Sequence, residues 1–151
     1  MQLKLTTDYA LRLLCRLANE RHPLSVRELS EDLGIPKRYT AKVMGTLKDA
    51  GLVESTSGAK GGYELMGSPC SVTLLDVVKA VEGTTDVSPR RQDPDTPYSS
   101  NPGANHRIHQ AYDILQRGIE FGLSRITVAD LISDDDLTFE QIHAAWRAEH
   151  E

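Results

Sequence analysis

Residues 25–51, SVRELSEDLGIPKRYTAKVMGTLKDAG, set two short helical patterns three residues apart, and few folds can be built on that spacing. Ser25 and Glu28 stand at the separation of a capping box, in which a hydroxyl and a carboxylate each satisfy the other residue's backbone N–H. Val26, Leu29 and Leu33 then recur as one apolar stripe, and Gly34 supplies a left-handed stop. After Ile35, Pro36 suits the first position of the next helix, where its missing N–H would have had no partner. Two helices joined by a turn of a few residues containing glycine form a helix-turn-helix.

The second of these helices carries the functional signal. At about 100° per residue, Tyr39, Val43, Leu47 and Ala50 fall on one arc and are expected to pack inward. Lys37, Ala41, Gly45 and Lys48 fall opposite, with Arg38 and Lys42 on the shoulder. That outward face holds four cations and no carboxylate before Asp49. A glycine in mid-helix costs about 1 kcal/mol relative to alanine. Gly45 is tolerable there if another surface must come close.

The flanking segments complete a domain. Ala10, Leu13, Leu14, Leu17 and Ala18 predict a first helix from near Thr7, which Pro23 keeps from continuing. Cys15 falls on its apolar face and reads as a small buried hydrophobe. Beyond Gly51, LVEST and YEL read as two strands around the glycine-rich tip SGAKGG, a small hairpin. So bare a tip would let its backbone amides and Lys60 lie against a phosphate backbone. Three helices followed by a hairpin make a winged helix. The expected fold class is mainly α: a winged helix-turn-helix DNA-binding domain over residues 1–83, with the helix-turn-helix at about 26–50 and a two-strand wing at about 52–66. A Thr73/Asp76 capping box opens its last helix, which Gly83 ends.

Residues 84–104 contain four prolines and almost no apolar side chains, so they read as a functional or disordered loop. Pro89, Arg90 and Arg91 within it read as a charged stretch. Residues 105–151 are expected to form a long C-terminal dimerisation helix and two shorter helices. Ile108, Tyr112, Leu115, Ile119, Gly122 and Ile126 repeat at spacings of 4, 3, 4, 3 and 4, a heptad-like seam. Gly118 and Gly122 would let a neighbouring backbone near, and a second copy of the same helix is the simplest partner. TVADLI reads as a short capped helix, and Phe139, Ile142 and Trp146 mark one apolar face of the last.

Charge and composition bound the function. The net charge of −5 divides unevenly: residues 1–67 hold 10 basic and 8 acidic side chains, residues 68–151 hold 7 and 14. The front half could meet an anion while the back half keeps the molecule soluble. The amphipathic N-terminus is not expected to be a signal peptide, no run reaches the roughly 18 apolar residues of a membrane span, and the expected location is cytoplasmic. Cys15 and Cys70 form neither a C-x-x-C site nor a disulfide framework. Motifs for nucleotide loops, serine hydrolases and zinc proteases are absent, so an enzyme is not expected.

The order of LTTDYALRLL, LSVRELSEDLGIPKRYTAKVMGTLKDAGLVES, GAKGGYEL and VTLLDVVKAVEG resembles the Rrf-type winged-helix transcription regulators, the family of IscR, NsrR and CymR. The resemblance is strong over residues 1 to 83 and looser beyond. It implies a homodimer on a palindromic double-stranded DNA operator, most simply a repressor, with the third helix in the major groove and the wing at the adjacent minor groove. The recognition positions it implies are Pro36, Lys37, Arg38, Tyr39, Ala41 and Lys42. Ser25, Arg27, Lys48, Ser57, Lys60 and Gly61 complete the candidate DNA-binding set. Several relatives carry an arginine where this chain has Ser57, which leaves Lys60 as the nearby cation.

Cluster-binding relatives also place three cysteines in the loop after VEG, where residues 84–105 have none. Thiolates are the usual ligands of iron–sulfur clusters, so no cofactor and no cluster bound through this loop is expected. His106 and His109 stand near the positions of the last cysteine and of a following histidine. Their spacing of three is the one metal-site alternative in the segment, with surface histidines favoured. Control by a small-molecule effector or a partner protein stays open. So do two other function classes: a winged-helix interaction module without DNA binding, and a sensor holding a cofactor through Asp8, Cys15, Cys70 or the histidines.

Overall fold

The structure, a computed structural model, describes residues 2–88 and 102–150. Pro89, Arg90, Arg91 and the side chain of Trp146 lie outside the described residues. Helix α1 spans Leu5–Ala18, α2 Val26–Leu33 and α3 Lys37–Asp49. Strands β1 (Val53–Thr56) and β2 (Gly62–Leu65) follow, then a 3-10 turn at Pro69–Ser71 and α4 at Leu74–Glu82. Helices α5 (Pro102–Arg125), α6 (Val128–Leu131) and α7 (Phe139–His150) complete the chain.

The local signals act as their chemistry dictates. Both arms of the Ser25/Glu28 box form, with Glu28 N–H donating to Ser25 Oγ at 3.2 Å and Ser25 N–H to the Glu28 carboxylate at 2.8 Å. Boxes at Thr73/Asp76 and Thr127/Asp130 open α4 and α6 in the same way. Gly34 and Gly83 end α2 and α4 in the left-handed region. Helix α5 starts at Pro102, inside the segment expected as loop, because proline at a first helical position forfeits no hydrogen bond.

One core binds α1 to α4, the hairpin and α6. Ala10, Leu13 and Leu14 of α1 are fully buried against Leu29, Val43, Met44, Leu47, Val53 and Val77. Each such leucine contributes about 2 kcal/mol of burial. Val128 of α6 belongs to the same cluster, so the core reaches past the expected boundary at Gly83. Two backbone bonds hold it there: Leu74 N–H to Ile126 O at 2.8 Å, and Val128 N–H to Val72 O at 2.9 Å. They set two capping boxes side by side and fasten the end of α5 to the domain.

Helix α3 corrects one expectation. Thr40, Val43, Met44 and Leu47 form its buried stripe, while Tyr39 is 53% exposed and Ala50 is exposed. Thr40 can be buried because its hydroxyl bonds back to Ile35 O at 3.3 Å, leaving no unsatisfied polar group. Tyr39 therefore turns out beside Arg38 and Lys42.

Two polar clusters lie at the C-terminal end of α4 and just beyond it. Glu82 accepts from Thr7 Oγ1 and Lys4 N–H and pairs with Lys4 Nζ at 3.0 Å, tying α4 to the start of α1. Desolvation raises the carboxyl's pKa, but the hydrogen bonds from Thr7 and Lys4 outweigh it and hold the group below its ordinary value. A depressed folded pKa means stability that is present above the unfolded value, about 4.3, and lost as pH falls through the folded one. Glu82→Gln is expected to melt earlier than wild type at pH 7, with the gap closing as the pH drops below that value. A gap that stays constant down to pH 2 would remove Glu82 as the cause. Beyond Gly83, Gln116 of α5 donates to Thr85 Oγ1 and to Glu120, and accepts from Val87 N–H at 3.0 Å. This buried side chain pins the start of the 84–104 segment to α5.

Candidate nucleic-acid interface

The cations on helices α1, α2 and α3 fall into two populations. Those of α1 and α2 are paired: Arg12 with Asp8, Arg16 with Glu20 and Asp32, Arg27 with Glu31, all at 2.7–3.0 Å. On α3, Lys37, Arg38, Lys42 and Lys48 are exposed, and none forms an ion pair or side-chain hydrogen bond among the described residues. Four cations without an ion pair stand against one carboxylate, Asp49, on these thirteen residues and repel one another. An external polyanion would relieve that repulsion and gain entropy by shedding counterions.

Each predicted residue has a definite place. Pro36 caps α3 with extended backbone, its carbonyl accepting from Tyr39 and Thr40 N–H at 2.8 and 3.0 Å. Lys37, Arg38, Tyr39, Ala41, Lys42 and Lys48 share the solvent side of α3. The Ser25 hydroxyl is engaged with Glu28, and the Arg27 guanidinium with Glu31. Both lie at the start of α2, and the wing tip adjoins them: His22, Pro23, Glu28, Ala59, Lys60 and Gly61 enclose a cleft of about 300 Å³. Ser57 and Lys60 are exposed.

The wing explains its own glycines. β1 and β2 pair antiparallel with Val53 opposite Leu65 and Thr56 opposite Gly62. Tyr63 also pairs with Leu24, each N–H donating to the other's carbonyl at 2.8–3.0 Å, so an isolated bridge buttresses the hairpin. A Cβ at Gly61 would stand 2.2 Å from Thr56 O, and one at Gly62 2.5 Å from the Leu24 carbonyl. These two glycines are bare because the hairpin closes on itself and on Leu24, which sequence alone did not separate from an approach to DNA.

On α5 the exposed apolar side chains are Ile108, Leu115 and Ile114, the last 71% exposed and absent from the sequence-predicted seam. Tyr112, Ile119, Gly122 and Ile126 are partly buried. The stripe open to solvent is thus rotated toward Ile114, because the Gln116 face is taken up by residues 85–87. The helix period alone gives no such offset.

Metal-ligating groups are sparse. Cys15 is half-buried on α1, where desolvation pushes its thiol pKa up despite nearby Arg12, and a raised pKa disfavours the thiolate that ligation requires. Cys70 is exposed on the 3-10 turn. His106 is exposed and His109 partly buried. Among the described residues no three His, Cys, Asp or Glu side chains group as a metal site. Two separate thiols do not fit an iron–sulfur cluster, and no step is assigned to one.

Known proteins match this geometry. Residues 3–134 match the Rrf2 family, described as iron-dependent transcriptional regulators. The HTH-type transcriptional repressor NsrR of Streptomyces coelicolor is 34% identical over 136 residues, covering 88% of this chain and 89% of that protein. The HTH-type transcriptional regulator IscR of Vibrio vulnificus is 27% identical over 121 residues, 80% of this chain and 70% of its own length. Among solved structures, CymR, the global cysteine regulator of B. subtilis, superposes with a TM-score of 0.68 at 23% identity, covering 90% of this chain and 99% of that one. T. potens IscR gives 0.67 at 21% identity, covering 93% and 96%. The fold is that of these winged-helix regulators, no enzyme is indicated, and the chain belongs to the Rrf2 family of helix-turn-helix transcriptional regulators.

Proposed function

We propose that the chain binds a palindromic DNA operator as a homodimer and acts as a cytoplasmic repressor, with α3 in the major groove and the wing at the flanking minor groove. The observation that carries the reading is the set Lys37, Arg38, Lys42 and Lys48, exposed and without an ion pair among the described residues, on a face with no carboxylate before Asp49. Lysines and Arg38 would neutralise phosphates, and Arg38 has the fork that reads guanine O6 and N7. Tyr39 and Ala41 supply apolar surface between them, and Lys60 is the cation the wing offers. The chain works without an iron–sulfur cluster held by residues 84–105, since its whole sequence supplies only Cys15 and Cys70. Control falls to a small effector or partner protein acting near that segment, whose Thr85 and Val87 are tied to α5 by Gln116.

The test is selection of duplexes from a random-sequence library by the purified chain. The expected product is a two-fold symmetric sequence whose affinity falls steeply with salt, with a slope of about −0.9 for each phosphate neutralised. Failure to enrich any sequence would sink the reading. Anaerobically purified protein is expected to be colourless, and stoichiometric iron with visible absorption would overturn the cofactor-free proposal.

A second copy is the partner proposed for Ile108, Ile114 and Leu115. Leu115→Glu, placing a charge in that stripe, is expected to shift sedimentation velocity from dimer to monomer and weaken operator binding by roughly a hundredfold. A variant that sediments as wild type would move the dimer contact elsewhere.

A further inference from the structure

We infer that Gly45 is the point of closest approach between α3 and the base edges, and that its missing side chain sets the depth at which the helix seats. The inference rests on the DNA-binding reading above and sharpens it to one residue. Gly34, Gly51, Gly58, Gly62, Gly67 and Gly83 adopt positive φ, and Gly61 closes the hairpin. Gly45 does neither, a property it shares with Gly118 and Gly122 of α5 but with no other glycine of the helix-turn-helix or wing: its backbone is ordinary helix, and a Cβ built there meets nothing within 4 Å. The chain therefore carries a helix-weakening residue that its own packing does not require. Its position supplies a reason. Gly45 lies across α3 from Val43 and Leu47, one turn after the exposed Ala41, and between Lys42 and Lys48. The smallest residues thus form a shallow floor flanked by long cations. Flexible lysines follow phosphates through a small displacement of the helix, whereas contacts to base edges depend on close and directed geometry. A methyl group at position 45 would lift the helix and remove sequence discrimination before it removed charge attraction.

The experiment compares Gly45→Ala with wild type, Arg38→Ala and Lys42→Ala. Each is measured by thermal melting and by fluorescence anisotropy on the library-selected duplex and on a scrambled duplex of equal length. Gly45→Ala is expected to melt about 3 °C higher. It is expected to lose roughly tenfold or more in affinity for the selected duplex, as an overpacked contact does. Binding to the scrambled duplex at low salt is expected to stay within twofold, because phosphates carry it. Wild-type affinity in Gly45→Ala, with Arg38→Ala and Lys42→Ala both weakened, would overturn this inference and leave the recognition face standing. A lowered melting temperature would also overturn it, by giving Gly45 a role inside the chain. Wild-type affinity in all three variants would remove the recognition face itself, and the inference with it.

Discussion

Replacing Arg38 or Lys42 by alanine is expected to weaken binding to the selected duplex more than tenfold at moderate salt, each without lowering the melting temperature. The second half of that expectation gives the first its meaning. Neither side chain has an ion pair or hydrogen bond among the described residues, and both stand exposed on α3. Their removal takes nothing from the folded state and reduces repulsion along the helix. The two variants should also differ in kind. A lysine that neutralises a phosphate lowers the salt slope by about 0.9 when removed and weakens all sequences alike. An arginine bidentate on guanine leaves the slope nearly intact and relaxes preference at one base pair by about 1–3 kcal/mol. Anisotropy titrations over a range of salt, on the selected duplex and single-base variants of it, separate the two roles. Unchanged affinity in both variants would withdraw α3 as the recognition helix. Arg12→Ala on α1 is the control, since it lies outside the candidate set and its guanidinium is engaged with Asp8 at 2.7 Å.

What the sequence made legible was governed by interactions between residues a few positions apart. The boxes at Ser25, Thr73 and Thr127, the stops at Gly34 and Gly83, and the apolar stripes of α1 and α2 needed only helix geometry. The less legible features depend on a neighbour distant in the chain or on a polar group that finds its partner only in the fold. Thr40 was not part of the predicted inward arc; it is buried with its hydroxyl donating to Ile35 O, and Tyr39 stands outside the core it was expected to join. Gln116 lies outside the predicted seam of α5 yet is buried. Its burial follows from the N–H of Val87, 29 residues earlier, and no periodicity announces that. The same contact decides which side of α5 faces outward, and so why Ile114 is exposed while Tyr112 is partly covered. On α7, Phe139 was placed on the apolar face yet is 73% exposed, its ring stacked on His143.

The wing glycines show the same limit and yield the largest expected change in stability. Gly62→Ala is expected to destabilise the chain by about 2–4 kcal/mol, lowering the melting temperature by roughly 10 °C. At φ +152° the backbone already lies where side chains rarely go, and the added Cβ would stand 2.5 Å from both the carbonyl carbon and the oxygen of Leu24. Neither side can retreat cheaply. Leu24 is buried and bonded to Tyr63 in both directions, and the next residue, Ser25, is the N-cap of α2. Relief therefore has to come from breaking the Leu24–Tyr63 pair or from shifting the capping box, and either route disturbs the helix-turn-helix together with the wing. For that reason Gly62→Ala should lose operator binding along with stability. Lys60→Ala, two residues away on an exposed side chain, should lose affinity alone. Paired melting and anisotropy curves for the two variants make the comparison. A Gly62→Ala protein that melts with wild type would mean the hairpin is free of Leu24, and the wing would then have no fixed position from which to meet a groove.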